Sequence, residues 1–214
     1  MKTTNIACCS LLLSITLLLS CSHADQKPAV ISPTIPVPSR ADAIPQIVAV
    51  DQSPMDMSFF PVDFPLLKMN GADSGQLLAR VIYSRPQKKG RQIFGSEEAL
   101  VHYGKEWRLG ANEATEIEFY QPVRIQGKAI TKGRYILYCY PYPTKWTLVL
   151  NNNLNTWGLH MDAKKDLYRF DVPVYKQDPP MEYFTMKFDS TATGANLLMT
   201  WDTVRCFLPI EKAR

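Results

Sequence analysis

The sequence predicts an all-β protein: a single antiparallel β-sandwich domain behind a lipoprotein signal and a proline-rich tether. Three observations predict it. Between Gln76 and Glu211, apolar residues recur at every second position in short runs. Turn residues separate those runs at regular intervals. No helical period continues beyond about two turns. The divisions follow composition: 1–20 is the signal, 21–52 the tether and 53–214 the domain.

The signal has three parts. Lys2 supplies a positive charge, and Ile6 to Leu19 is an uncharged apolar run. That run is shorter than the roughly 20 residues a membrane span needs. Leu18-Leu19-Ser20-Cys21 then resembles a bacterial lipobox, in which the Cys21 thiol is diacylated and becomes the new N-terminus. Acyl chains on Cys21 would anchor the protein to a membrane, since stable anchoring takes more than one chain. Cys8 and Cys9 lie too early for cleavage and leave with the signal. Ser22, not Asp, follows Cys21, so no inner-membrane retention signal is present. The expected location is the outer membrane, facing the periplasm.

Removal of 20 residues leaves 194 of 214 and lowers the net charge from +4 to +3 with the loss of Lys2. So slight a bias gives no argument for nucleic acid, export argues against it, and no nucleic-acid partner is expected. Cys139 and Cys206 remain beside Cys21. Both fall in predicted buried strands, where a free thiol behaves as a small apolar group, and free thiols are expected over a bridge.

Pro28, Pro33, Pro36, Pro38 and Pro45 prevent regular pairing in the tether and make it a semi-rigid spacer. Residues 53–69 turn apolar, with Met55, Met57, Phe59, Phe60, Val62, Phe64 and Leu66. They predict an extended segment packed on the domain, with Pro61 and Pro65 marking an edge. Gln76–Ser84 and Arg134–Tyr140 are apolar on both faces and predict central strands. Further strands show one apolar face each, through Ile117 and Phe119; Tyr168, Phe170 and Val172; Phe184, Met186 and Phe188; Leu197, Met199 and Trp201; and Cys206, Leu208 and Ile210. Ser96 to Val101 predicts a single helical turn capped by Ser96.

Catalytic signatures are missing. His23, His102 and His160 are too scattered for a metal site, and there is no nucleophile elbow or phosphate-cradling glycine loop. No metal and no cofactor is expected, and the chain leans away from enzymes. The stretch that could form a site runs from Tyr83 to Thr115. Arg85 and Arg91 bracket a basic turn containing Lys88 and Lys89. Tyr103, Trp107, Arg108, Asn112 and Glu113 follow. Glu113 has the parity of Thr115, Ile117 and Phe119, so a strand extended back to it would bury the carboxylate. A buried carboxylate needs a partner. Two readings stay open. In one, Arg85, Arg91 and Arg108 bind an anionic or polyhydroxyl ligand, Tyr103 and Trp107 stack on it, and Asn112 and Glu113 orient it. In the other, the arginines and Glu113 form an internal network. Lys88 and Lys89 are expected in a solvated turn, and Trp146 and Trp201 in the core. Trp157 fits either the core or a pocket rim.

The same residues carry a resemblance. Tyr83-Ser84-Arg85-Pro86, Lys89-Gly90-Arg91, Ile93-Phe94-Gly95, Tyr103-Gly104, Trp107-Arg108 and Gly110-Ala111-Asn112-Glu113-Ala114-Thr115 resemble the domain-of-unknown-function family 2911. Trp146-Thr147 and Trp157-Gly158 continue it, over roughly residues 75–211. The resemblance implies an exported protein or lipoprotein of Bacteroidetes-type bacteria and carries no activity. The family usually has Pro at the position of His102, which argues against a shared role for that histidine. The functions expected are, in order, a binding module for a glycan or anionic envelope component, a structural lipoprotein that pairs with another protein, and a sugar hydrolase or isomerase using Glu113.

Overall fold

A computed structural model describes residues 52–72 and 75–213. Residues 1–51, and with them the expected signal, Cys21 and nearly all of the expected tether, lie outside it. The described residues form one compact unit. Its strands are β1 (Met55–Phe60), β2 (Ala79–Ser84), β3 (Phe94–Gly95), β4 (Val101–His102), β5 (Glu116–Phe119), β6 (Val123–Ile125), β7 (Lys128–Ile130), β8 (Gly133–Pro141), β9 (Lys145–Asn151), β10 (Asp166–Ser190) and β11 (Gly194–Lys212). Nine of them hydrogen-bond in the order β1-β2-β5-β8-β9-β10-β11-β6-β7, antiparallel throughout. The short β3 and β4 pair separately and in parallel.

Two long strands turn this sheet into two layers. The first part of β10 pairs with β9, from Asp166 to Pro173, and the remainder pairs with β11. One core then joins Trp146, Leu148 and Leu150 of β9 to Phe184, Met186 and Phe188 of β10 and Leu197, Met199 and Trp201 of β11. Buried residues of β11 change parity after Trp201, to Cys206, Leu208 and Ile210. Asp202 absorbs the change with a left-handed backbone, φ 52°. The strand pairing shifts there, as a β-bulge requires.

The two strands expected to be central are central. β2 lies between β1 and β5, and β8 lies between β5 and β9. On β8, Leu137 and Cys139 face the main core, while Ile136 and Tyr138 build a second cluster with Ala114 and Val149. Leu154 and Met161 cover that cluster from the loop after β9. Both thiols, Cys139 and Cys206, are free and buried, and burial pushes each thiol pKa up.

Two local expectations are corrected. Residues 53–69 are not extended throughout: β1 forms the sheet edge, but Phe64–Met69 is a short helix, α1. Pro65 occupies its first turn, where a missing N–H costs nothing. Ser96 to Val101 is a turn rather than a helical turn. Ala99 N–H reaches Ser96 O at 3.1 Å, and then Leu100 and Val101 donate to Gln92 and Ile93. Sheet-type pairing claims the backbone that a helix would have used.

Tyr83 locks the layers together. Its hydroxyl accepts from Met186 N–H at 2.9 Å and lies 3.2 Å from Asp56 Oδ2. Burial, assisted by the nearby Asp56 charge, pushes the phenol pKa up to about 12. A raised folded pKa means stability that is full below pH 10 and lost as pH climbs toward 12. Urea unfolding of wild type across that window will show a loss of about 2–3 kcal/mol from this group. Tyr83→Phe will lack that component, and parallel pH profiles for the two proteins would refute it.

Candidate functional site

The site is built around the run from Arg108 to Thr115. Leu109 and Asn112 both have left-handed backbones, each with φ 54°. A Cβ on Gly110 would sit 2.8 Å from Ser84 O. Local bonds hold this loop: Thr115 Oγ1 donates to Leu109 O at 2.7 Å, Trp107 Nε1 to Gly110 O at 3.2 Å, and Asn112 Nδ2 to Ser53 O at 3.3 Å. The second half of the family motif closes on the first. Ala114 N–H donates to Thr156 O at 3.3 Å, and Arg108 Nη1 to Trp157 O at 3.1 Å. Gly158 has φ +77°, and its backbone lies so near that an added Cβ would meet Ala114 Cβ at 2.8 Å. Strained, over-determined backbone of this kind gathers at functional positions.

A cleft opens on each side of the loop. One, about 220 Å³, is lined by Arg91, Trp107, Arg108, Gly110 and Ala111, with Ser53, Pro86, Leu100, Val101 and Trp201 completing the wall. The other, about 420 Å³, is lined by Met55, Ile82, Glu113, Ala114, Glu116, Asn155, Thr156 and Trp157.

Neither guanidinium of the first cleft has a carboxylate within 4.0 Å among the described residues. Among the described residues, the Arg91 guanidinium donates to carbonyls of its own turn, Lys88 O at 3.0 Å and Gln87 O. Arg108 makes its bond to Trp157 O. Burial lowers the Arg108 pKa from its ordinary value, and the Glu113 charge opposes that shift without touching it. A partly desolvated cation gains from an anionic neighbour.

The structure assembles only part of the predicted set. Arg91, Trp107 and Arg108 share the first cleft, and Glu113 lines the second. Glu113 is exposed, against the expectation of a buried carboxylate, because β5 starts at Glu116 and the left-handed Asn112 turns the chain first. Arg85 belongs to neither cleft. It pairs with Asp56 at 3.3 Å and donates to Phe184 O at 3.3 Å and Thr185 Oγ1 at 3.1 Å, tying β2 to β10. Tyr103 is exposed beyond β4 and lines neither cleft, and Asn112 holds Ser53. Among the described residues no ion pair joins Glu113 to an arginine, against the internal-network reading. Lys88 also departs from a solvated turn, meeting Asp202 at 2.5 Å at the β11 bulge. Trp146 and Trp201 are core residues, and Trp157 is 54% exposed on the rim. Sequence reasoning missed Glu116, Asn155 and Thr156. Their one signal was adjacency to Trp157-Gly158.

A family model described as "Protein of unknown function (DUF2911)" matches residues 68–210. The chain belongs to the DUF2911 family. No curated protein and no solved structure matches it. Both halves of the loop lie inside the DUF2911 span. Ser53 and Met55, which complete the two clefts, precede it.

Proposed function

We propose that this DUF2911 protein is a lipid-anchored envelope protein, attached through Cys21, that binds an anionic group in the cleft between Arg91 and Arg108. One observation carries the reading: two guanidiniums without carboxylate partners line one small concavity, walled by Trp107 and Trp201. Arginine offers a planar fork of donors suited to carboxylate or phosphate. An acidic glycan or an anionic envelope component is the ligand class that fits an exported, membrane-tethered domain. The outer membrane, facing the periplasm, is the location we propose, because Ser22 and not Asp follows the lipobox-like Leu18-Leu19-Ser20-Cys21.

Calorimetric titration with inorganic phosphate and with galacturonate tests the cleft. Arg91→Ala and Arg108→Ala will each weaken binding about 10- to 100-fold, the value of one charge-assisted hydrogen bond. Arg108→Ala will cost only about 1 kcal/mol of stability, since it leaves no buried carboxylate unpaired. Binding that is unchanged in both variants would sink the proposal. So would a stability loss for Arg108→Ala near the roughly 3–5 kcal/mol of a broken buried pair. Labelled palmitate must also enter the wild-type protein in cells and not Cys21→Ser.

A further inference from the structure

We propose that the 420 Å³ cavity on the Glu113 side is a sugar-ring subsite, and that the ligand is an acidic oligosaccharide spanning both clefts. This rests on the anion reading of the arginine cleft and adds the identity of what the anion is attached to.

The cavity's chemistry matches a pyranose. Such a ring has an apolar C–H face and a perimeter of hydroxyl groups. The indole of Trp157, 54% exposed at the rim, offers a flat apolar face for the former. Met55, Ile82 and Ala114 supply apolar wall, and Asn155 and Thr156 supply an amide and a hydroxyl. Two carboxylates serve as acceptors for hydroxyl donors. Glu116 is already drawn to Arg134, at 3.7 Å, and that arginine also donates to Asn155 Oδ1 at 3.3 Å. Glu113 has no cation within 4.0 Å among the described residues and is left for a ligand.

An exposed tryptophan alone is unremarkable. This one is held from behind. Arg108 Nη1 grips its carbonyl, Thr156 O accepts from Ala114 N–H, and Gly158 presses on Ala114 and Arg108. A rim residue whose backbone is fixed before binding loses little entropy on binding. The clefts are also close: Ala111 lines one and Ala114 the other, so three Cα steps, at most about 11 Å, separate them. A sugar acid with its carboxylate at Arg91 and Arg108 would place a neighbouring ring at Trp157.

The test uses the full-length chain, with variants Trp157→Ala, Glu113→Gln and Arg91→Ala. Arg91 serves for the anion arm because Arg108 also touches Trp157. Probes are trigalacturonic acid, the neutral N-acetylglucosamine trimer, inorganic phosphate and spermidine. Iodide quenching that is present in wild type and missing from Trp157→Ala reports Trp157, since Trp146 and Trp201 are fully buried and Trp107, partly buried in the arginine cleft, is common to both proteins. The trigalacturonate should protect Trp157 from iodide. Trp157→Ala should weaken it about tenfold with phosphate affinity unchanged, and Glu113→Gln should weaken the neutral trimer several-fold. Arg91→Ala should weaken phosphate and trigalacturonate alike. Trigalacturonate binding unaffected by Trp157→Ala overturns the sugar subsite while leaving the anion cleft standing. Spermidine that protects Trp157 where neither trimer does overturns the sugar assignment in favour of an amine. Should Trp157→Ala weaken the neutral trimer while Arg91→Ala leaves phosphate untouched, the anion cleft falls, and the spanning acidic ligand with it.

Discussion

Trp201→Ala will cost the domain about 3–5 kcal/mol, the usual loss for a truncated core aromatic. Trp201 is fully buried. Its ring stacks on Trp107 with centroids 6.0 Å apart and meets Phe184 at 5.9 Å and Phe94 at 6.3 Å. Its Nε1 donates to Glu182 O at 3.2 Å, a carbonyl that also accepts from Lys88 N–H at 2.7 Å, so the loss comes from packing rather than from a stranded acceptor. A small domain holds only about 5–15 kcal/mol in total, so about a fifth or more would go. The indole is also a wall of the arginine cleft, and anion affinity should fall with stability. Trp157→Ala provides the contrast. The same residue type, exposed on the rim, should change stability by no more than about 0.5 kcal/mol. Urea midpoints of the two variants decide the matter, and a loss under 1 kcal/mol for Trp201→Ala would show that this aromatic cluster is not the centre of the core.

The aromatic cluster was legible because strands write their faces into sequence with period 2. Phe184, Met186 and Phe188 are buried as the alternation predicted, and so are Leu197, Met199 and Trp201. Strands apolar on both faces, 76–84 and 134–140, coincide with the interior strands β2 and β8. The helix α1 was not legible, because six residues give too few turns for a period to show. Parity also failed at Glu113. It predicts a face only while the chain stays extended, and the left-handed Leu109 and Asn112 end the extension before β5 begins.

The site was half legible for a related reason. Residue type identified Arg91, Trp107 and Arg108, whose chemistry suits an anion wherever they sit. It could not separate them from Arg85, whose partners Asp56 and Phe184 are 29 and 99 residues distant in sequence. Pairing across sheets depends on register, which alternation leaves open. The second cleft combines β1, the loop before β5 and the loop after β9, and local reading of any one of these shows only a turn. What the family motif encodes most directly is the wall between the clefts. Gly110, Ala114 and Thr115 set its path, and Gly158 backs it.

That wall gives the second large effect. Gly158→Ala should destabilise the domain by about 2–5 kcal/mol. A left-handed backbone at φ +77° costs an alanine about 1–2 kcal/mol. The new Cβ would add a clash with Ala114 Cβ at 2.8 Å, with Ala114 Cα and Arg108 Cβ each at 3.1 Å. Overpacking a fitted interior typically costs about 1–3 kcal/mol more. The two causes separate in a double mutant. Ala114→Gly removes the atom in closest conflict but leaves the backbone strain. Gly158→Ala with Ala114→Gly should therefore recover about half of the loss, a coupling of at least about 1 kcal/mol between the sites. Losses that simply add would mean that the loop moves aside and the strain alone matters. Binding tells which part of the wall carries function. If the loop holds both clefts in shape, Gly158→Ala should weaken phosphate and trigalacturonate together, because the same displacement moves Arg108 on one side and Trp157 on the other. A variant that loses stability yet binds both probes at wild-type affinity would show that the clefts keep their shape without the wall.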